Sequence, residues 1–199
     1  MRSKGNGREL TSAMSNTFFT SDEHFGHFNI LAYAKRPFKY LTEMEATFIE
    51  RHNKVVSVDD EVIHLGDFSF DGPERQKEIL SYLNGSHYIV KGNHDLSPNK
   101  LGYIGFEVLD NLTEIKIGRN NVVLCHYPRS EREASEDGFY RKRFRGDKES
   151  WVLHGHVHDR FRTRNKHVNV GVDVWDYRPV HINTIRMILD GNLSKTTST

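Results

Sequence analysis

Residues able to bind a metal or move a proton recur in this sequence at the ends of short apolar runs. They are Asp22-x-His24, Gly66-Asp67, Gly92-Asn93-His94-Asp95, His126 and Gly155-His156-Val157-His158. Neutral imidazole is the commonest metal ligand in proteins, and the chain has twelve histidines. Residues two apart in an extended segment point to the same side. Asp22 with His24, and His156 with His158, could therefore each pinch an ion from one stretch of backbone. A glycine precedes Asp67, Asn93 and His156, which permits tight turns and close approach of the backbone to a ligand. The donors are oxygen and nitrogen, with no thiolate. That disfavours a structural zinc site and suits manganese, iron, nickel or catalytic zinc. The set Asp22, His24, Asp67, Asn93, His126, His156 and His158 is too large for one transition ion. A bridging carboxylate would let two ions sit about 3.5–4 Å apart. Met singly, an Asp-x-His is more often a surface turn; a series of such elements, each after an apolar strand, points to one centre.

The elements that must position these residues follow from the apolar pattern. Residues 17–21 form a β-rich run ending at Asp22. Residues 42–57 carry helical signals, with Thr42 as N-cap, Glu45 three residues on, and Met44, Phe48, Ile49 and Val55 as an apolar face. Residues 61–65 form the next strand, stopped by Gly66-Asp67. Pro73 opens a second helix to about residue 83, closed by Asn84-Gly85. Residues 87–90 form a strand stopped by Gly92-Asn93. Strand ends that carry polar residues, separated by helices, predict an α/β fold with its site at the carboxyl ends of the strands. The second half predicts a hairpin, 112–117 with 122–126, around Gly118-Arg119-Asn120-Asn121. A strand at 151–153 enters His154-Gly155-His156, and further strands are expected at 160–170 and 184–189.

Composition bounds the rest. The chain has 199 residues, 36% hydrophobic and 28% charged, with a net charge of +1. This is an ordinary globular balance, and attraction to phosphate must come from a local site rather than bulk charge. The domain reading is a disordered tail over 1–15 and one domain over 16–199, with Met14 an alternative start. Cys125 is the single cysteine, so no intrachain disulfide forms. It reads as a small buried strand residue, and the chain as a soluble cytoplasmic protein. No apolar stretch approaches a membrane span, and none follows the basic start as in a signal peptide.

The order Asp-x-His, Gly-Asp, Gly-Asn-His-Asp, His, Gly-His-x-His resembles the calcineurin-like metallophosphoesterase superfamily, from about residue 18 to 179. The flanking segments 21–27, Arg36-Pro37-Phe38, 64–68 and 169–179 are similar to a small single-domain bacterial and phage branch. The resemblance implies a four-layer αββα sandwich. It implies that Asp22, His24 and His158 hold a first ion, that Asn93, His126 and His156 hold a second, and that Asp67 bridges them. It also implies His94 as a non-ligand histidine near the leaving group, with Asp95 orienting it. The cofactors would be two divalent ions, manganese first, with iron, nickel or zinc as alternatives. Water between two cations has a lowered pKa and supplies hydroxide near neutral pH. His94 is then the candidate acid that protonates the departing oxygen.

Other residues carry weaker expectations. His64 and His154 read as packed or supporting histidines, and His27 as a substrate contact. If 160–167 is a strand, Arg160, Arg162, Arg164 and Lys166 share one face, starting two residues after a metal ligand. Arg160 and Arg162 are then candidate substrate contacts, although an edge strand guarded by charge is the plainer reading. A second basic stretch lies at 141–145. The expected partner is a small phosphodiester or nucleotide, with an oligonucleotide as alternative and no membrane. A protein phosphatase fits less well, because Phe68-Ser69-Phe70-Asp71-Gly72 lacks the Asp-Arg-Gly pattern of those enzymes and Asp95 stands where they have Glu. A non-catalytic scaffold fits less well again, because every ligand and His94 are present.

Overall fold

The computed structural model describes residues 16–129 and 149–192. Thr17–Thr20 (β1) pairs in parallel with Glu61–His64 (β2), which pairs with Ser86–Val90 (β3), which pairs with Glu107–Leu109 (β4). Between them run Ile30–Tyr33 (α1), Leu41–Val55 (α2), Pro73–Ser81 (α3) and Pro98–Ile104 (α4). Thr113–Ile117 (β5) and Asn120–Leu124 (β6) form an antiparallel hairpin. Trp151–His154 (β7) joins β6 in parallel, and Thr163–Arg164 (β8) with His167–Asn169 (β9) completes this sheet. Val180–His181 (β10) returns to the outer edge of β1, and Ile182–Leu189 (α5) follows. The sheets are ordered β10-β1-β2-β3-β4 and β5-β6-β7-β9-β8. Two sheets flanked by helices are the architecture the sequence implied.

Alternation along each strand sorts side chains to two sides of a sheet. Phe19, Ile63, Leu65 and Val90 of the first sheet meet Ile115, Val122, Leu124, Leu153 and Val168 of the second in one core between the sheets. Residues of opposite parity, such as Ile89, pack with Met44, Phe48, Ile79 and Leu101 of the helices. Asp67 continues the parity of Ile63 and Leu65, and His126 that of Val122 and Leu124. The polar strand ends therefore open at one rim of the inter-sheet core.

Several local expectations are corrected. α2 begins at Leu41 with Tyr40 at the N-cap and no side-chain cap. Thr42 is inside the helix; Glu43 reaches back to accept the Lys39 N–H at 2.9 Å. Residues 184–189 are helix, not strand, because Ile182, Ile185 and Leu189 recur at helical spacing and bury one face. The run 160–170 is no single strand. Asn165 adopts φ +54° and turns the chain between β8 and β9, so Arg164 and Lys166 lie across a turn. α4 and β4 are further elements, between Pro98 and Leu109. The tail, Met14 and the basic stretch 141–145 lie outside the described residues.

Candidate metal centre

Asp22, His24, Asp67, His156 and His158 all have left-handed backbones, with φ of +59°, +54°, +58°, +70° and +49°. Non-glycine residues visit this region at a cost of about 1–3 kcal/mol each when held there. The extended Asp-x-His and His-x-His geometry expected from sequence is therefore replaced by tight turns. Each turn bends a strand end back toward the rim. Backbone bonds lace the loops together: Asp22 N–H to Gly66 O at 3.0 Å, His24 N–H to Asp67 O at 3.1 Å, and Gly155 N–H to His126 O at 3.0 Å. Two glycines are required by contact. A Cβ on Gly155 would stand 2.2 Å from Asp22 Oδ2, and one on Gly92 2.3 Å from Asp67 Oδ1.

The turns gather Asp22, His24 and His158 into one candidate metal group and Asp22, Asp67 and His126 into another. His158 falls in the first group and His156 in neither. The His156 ring lies beside His126, 5.2 Å between centroids, and its backbone N–H donates to the Asp22 carboxylate. Asn93 Oδ1 is 3.0 Å from His126 Nε2. Asp67 Oδ2 lies 3.7 Å from His24 Nε2 and 3.4 Å from His126 Nε2, within reach of both groups.

On His126, His158 and His24 the Nδ1 side is occupied, which leaves Nε2 turned to the centre. His126 Nδ1 lies 2.7 Å from Leu65 O, and His158 Nδ1 3.1 Å from Asp173 Oδ2. His24 Nδ1 is 3.4 Å from His27 Nδ1, and His24 Nε2 is buried with no hydrogen-bond partner. A buried polar atom is ordinarily satisfied. One without a hydrogen bond between two carboxylates is the environment of a metal ligand, and the mixed O/N donor set suits a divalent transition ion.

The charge states say the same. Burial raises Asp22 to about 6, against the pull of His126 and His158. Burial drives His24 down to about 2. His126 goes the other way, to about 9: burial opposes its charge, but the Asp67 carboxylate and then Asp22 overcome it. Asp67 is lowered: burial opposes its charge, but His126, His24 and the His94 N–H together overcome it.

Arg36 and Asp173 brace the first group. The Arg36 guanidinium donates to both Asp173 carboxylate oxygens, at 2.8 and 3.0 Å, to Asp22 O at 2.6 Å and to Glu23 O at 2.9 Å. Neither residue's role was legible in sequence, since 137 positions separate them; only their family-like flanking text marked them. Glu23 points to the helix side. There it meets Thr20 and His64 at 3.0 and 2.9 Å, and His64 passes on to His87 at 3.1 Å. His64 is thus a supporting histidine. His154 bonds Gly155 O on its own strand end.

His94 is half-exposed at the mouth, with Nε2 3.9 Å from Asp67 Oδ2 and its backbone N–H bonded to Asp67 Oδ1 at 2.9 Å. Asp95 does not orient it. Both Asp95 oxygens accept backbone N–H groups instead, from Asp67, Phe68 and Gly92 at 2.8, 2.9 and 2.7 Å. Asp95 pins the loop after β2 to the loop after β3. His27 adjoins the centre, its Nδ1 3.4 Å from His24 Nδ1, and the Arg162 guanidinium donates to Val174 O at 2.8 Å and lies 4.5 Å over the Trp175 ring. Arg160 lies on the exposed turn after His158, its N–H bonded to Val157 O.

Comparison with known proteins agrees with this geometry. The chain is 31% identical over 194 residues to the uncharacterized protein MJ1445 of Methanocaldococcus jannaschii, covering 92% of this chain and 97% of that one. It is 30% identical to the Gene 66 protein of Mycobacterium phage D29, covering 81% and 90%. The solved structure of a protein of unknown function, AQ665 from Aquifex aeolicus, matches with a TM-score of 0.72 at 26% identity, covering 87% and 98%. A model of the calcineurin-like phosphoesterase superfamily domain matches residues 19–183. With its strand-end turns converging on two candidate metal groups, the chain belongs to the calcineurin-like phosphoesterase superfamily, and it is a hydrolase of phosphoester bonds.

Proposed function

We propose that this hydrolase is a binuclear enzyme acting on a small phosphodiester or nucleotide. The observation that carries the reading is the buried His24 Nε2, which lies without a hydrogen bond between Asp22 and Asp67, with His126 Nε2 approaching the same Asp67 oxygen. Asp22, His24 and His158 would hold one ion, Asn93, His126 and His156 the other, and Asp67 both. Manganese is the first choice, and iron, nickel or zinc suit the same donors. When bound, two such ions supply an acidified water and positive charge opposite the phosphoryl oxygens. The chain's own groups do the rest. His94, bonded to Asp67 through its backbone N–H and open to solvent, would protonate the departing oxygen. Asp95 holds the loops of Asp67 and Asn93 in register.

A cytoplasmic location belongs to the same reading. Cys125 is buried, with its thiol pushed up to about 12 by burial, so it behaves as a packing residue. No helix among the described residues is long and apolar enough to cross a membrane. Elemental analysis of manganese-replete protein, with turnover of bis(p-nitrophenyl) phosphate and p-nitrophenyl phosphate before and after chelation, tests the proposal. The expected result is two ions per chain, turnover of the diester, and its loss with chelator. One ion or none in the replete protein would end the binuclear reading, and so would an Asp67→Asn variant that kept two ions and normal turnover.

A further inference from the structure

Phe70 is an oddity of the mouth. Phe68, on the same loop, is fully buried, while Phe70 is 43% exposed. The exposure does not come from slack. The Phe70 N–H donates to Phe25 O at 2.8 Å, and Ser69 Oγ donates to the same carbonyl at 3.0 Å. Ser69 Oγ also accepts the Asp71 N–H at 3.0 Å, and Gln76 Nε2 donates to Asp71 O at 2.7 Å. The loop is fixed on both sides of an apolar ring that it holds out at the rim of a charged centre.

That ring is one member of a line. It stacks on His27, with 3.9 Å between centroids and 20° between planes. His94 lies 4.6 Å from it and His24 5.4 Å. On the outer side, His27 meets the edge of Tyr33 at 6.2 Å, and Tyr33 is 74% exposed. Rings therefore run from solvent at Tyr33, through His27 and Phe70, to the residues that would handle the phosphate.

We infer that this ring wall, Tyr33, His27 and Phe70, receives the base of a nucleotide ester whose phosphate lies at the metal centre. The inference rests on the phosphoesterase reading and deepens it by naming the substrate class. A phosphate alone has no use for such a wall, and a short alkyl ester would leave it wet. A planar base joined through a sugar to the phosphate supplies both a charged end and a flat apolar end. Rings held in place before binding lose little freedom when they stack, and every base offers a π-face to them. The wall thus selects for a nucleoside while tolerating the identity of the base.

The test uses the full manganese-loaded chain and two esters with one leaving group, thymidine 5′-(p-nitrophenyl phosphate) and ethyl p-nitrophenyl phosphate. The expected KM is about ten-fold lower for the thymidine ester, the scale of one base stack. In Phe70→Ala and Tyr33→Ala that ratio should shrink toward one, and Phe70→Trp should keep it. Equal KM values in the wild type, or a ratio unchanged in Phe70→Ala, would overturn the inference. If neither ester is turned over, the phosphoesterase reading is what has failed. The wall is then judged by calorimetry with thymidine 5′-monophosphate against methyl phosphate. Tighter binding of the nucleotide, lost in Phe70→Ala, sustains the wall, and equal binding removes it.

Discussion

Removing the Asp173 carboxylate separates two jobs that the structure assigns to it. Asp173 neutralises the buried Arg36 and holds His158 Nδ1, so Asp173→Ala should damage both stability and metal binding. Both side chains are almost fully buried, Arg36 at 0% and Asp173 at 2% exposure. Deleting one partner of such a pair costs about 3–5 kcal/mol, because the remaining charge stays buried. Here the guanidinium keeps two carbonyl acceptors, Asp22 O and Glu23 O, so the lower end applies, about 3 kcal/mol. For a chain of this size each kcal/mol moves Tm by about 2–4 °C, which predicts a fall of about 6–12 °C. Melting in chelator measures this part free of metal linkage. The second part is the imidazole. Loss of a partner that orients a ligating histidine typically weakens metal binding about 10–100-fold. A manganese titration should therefore show one weakened ion beside one of near-normal affinity, since His126 is held by Leu65 O instead. Replacing the pair together, Arg36→Met with Asp173→Leu, should recover part of the melting temperature by removing the stranded charge. It should not recover the ion. Melting within about 2 °C of wild type in Asp173→Ala, with both ions bound normally, would refute the reasoning. So would a double variant that restored metal affinity.

Three further outcomes follow from particular contacts. His94→Ala should keep both ions and lose about 10²–10⁴-fold in single-turnover hydrolysis of an alkyl or ribose ester, but much less on a p-nitrophenyl ester, which leaves without a proton; equal losses would argue against acid catalysis. Gly155→Ala should lose metal with its far-ultraviolet circular dichroism intact, because the new methyl collides with Ser21 Oγ and Asp22 Oδ2; Gly102→Ala, which meets nothing within 4 Å, should bind both ions, and a normal Gly155→Ala would show that the loop has room to move. His52 is held near 4 by burial, against its bond to Asn84 O. Its folded pKa is depressed, so the stability it contributes is present above about 6.5 and is lost as pH falls toward 4. In urea titrations the unfolding free energy should decline over that window, with a slope up to about 1.4 kcal/mol per pH unit for this one proton. His52→Phe should flatten the decline, and an unchanged slope would assign it to other groups.

Much of this molecule could be read before it was seen, and the limits have physical causes. The apolar alternation of Phe19, Ile63, Leu65, Val122 and Leu124 marks strands with a shared buried side, because burial is the dominant local demand on a strand. Polar residues that break such runs after a glycine must lie at strand ends, which is why the candidate ligands could be collected from sequence. Helix ends were less legible: Thr42 looked like a cap, yet the cap position is Tyr40, two residues earlier, and Glu43 supplies the bond to the Lys39 N–H. Residues 184–189 read as strand but fold within the helix Ile182–Leu189, because β-branched residues fit either state until packing chooses a period.

What only the tertiary structure decided is direction and partnership. Sequence spacing suggested that His156 and His158 would act together. Left-handed turns at both residues set His158 with Asp22 and His24 and the His156 ring beside His126, and such turns are laced by bonds to loops that are distant in the chain. Asp95 beside His94 suggested an orienting pair, but three backbone N–H groups from two loops hold both its oxygens. Arg36 and Asp173 meet across 137 residues, and the Phe70 ring reaches His27 across 43, contacts that no local pattern encodes. The sequence by itself determined which donors are available and that they end strands. The fold determined which way each one faces, because side-chain direction at a strand end is set by the neighbouring loops that bind its backbone.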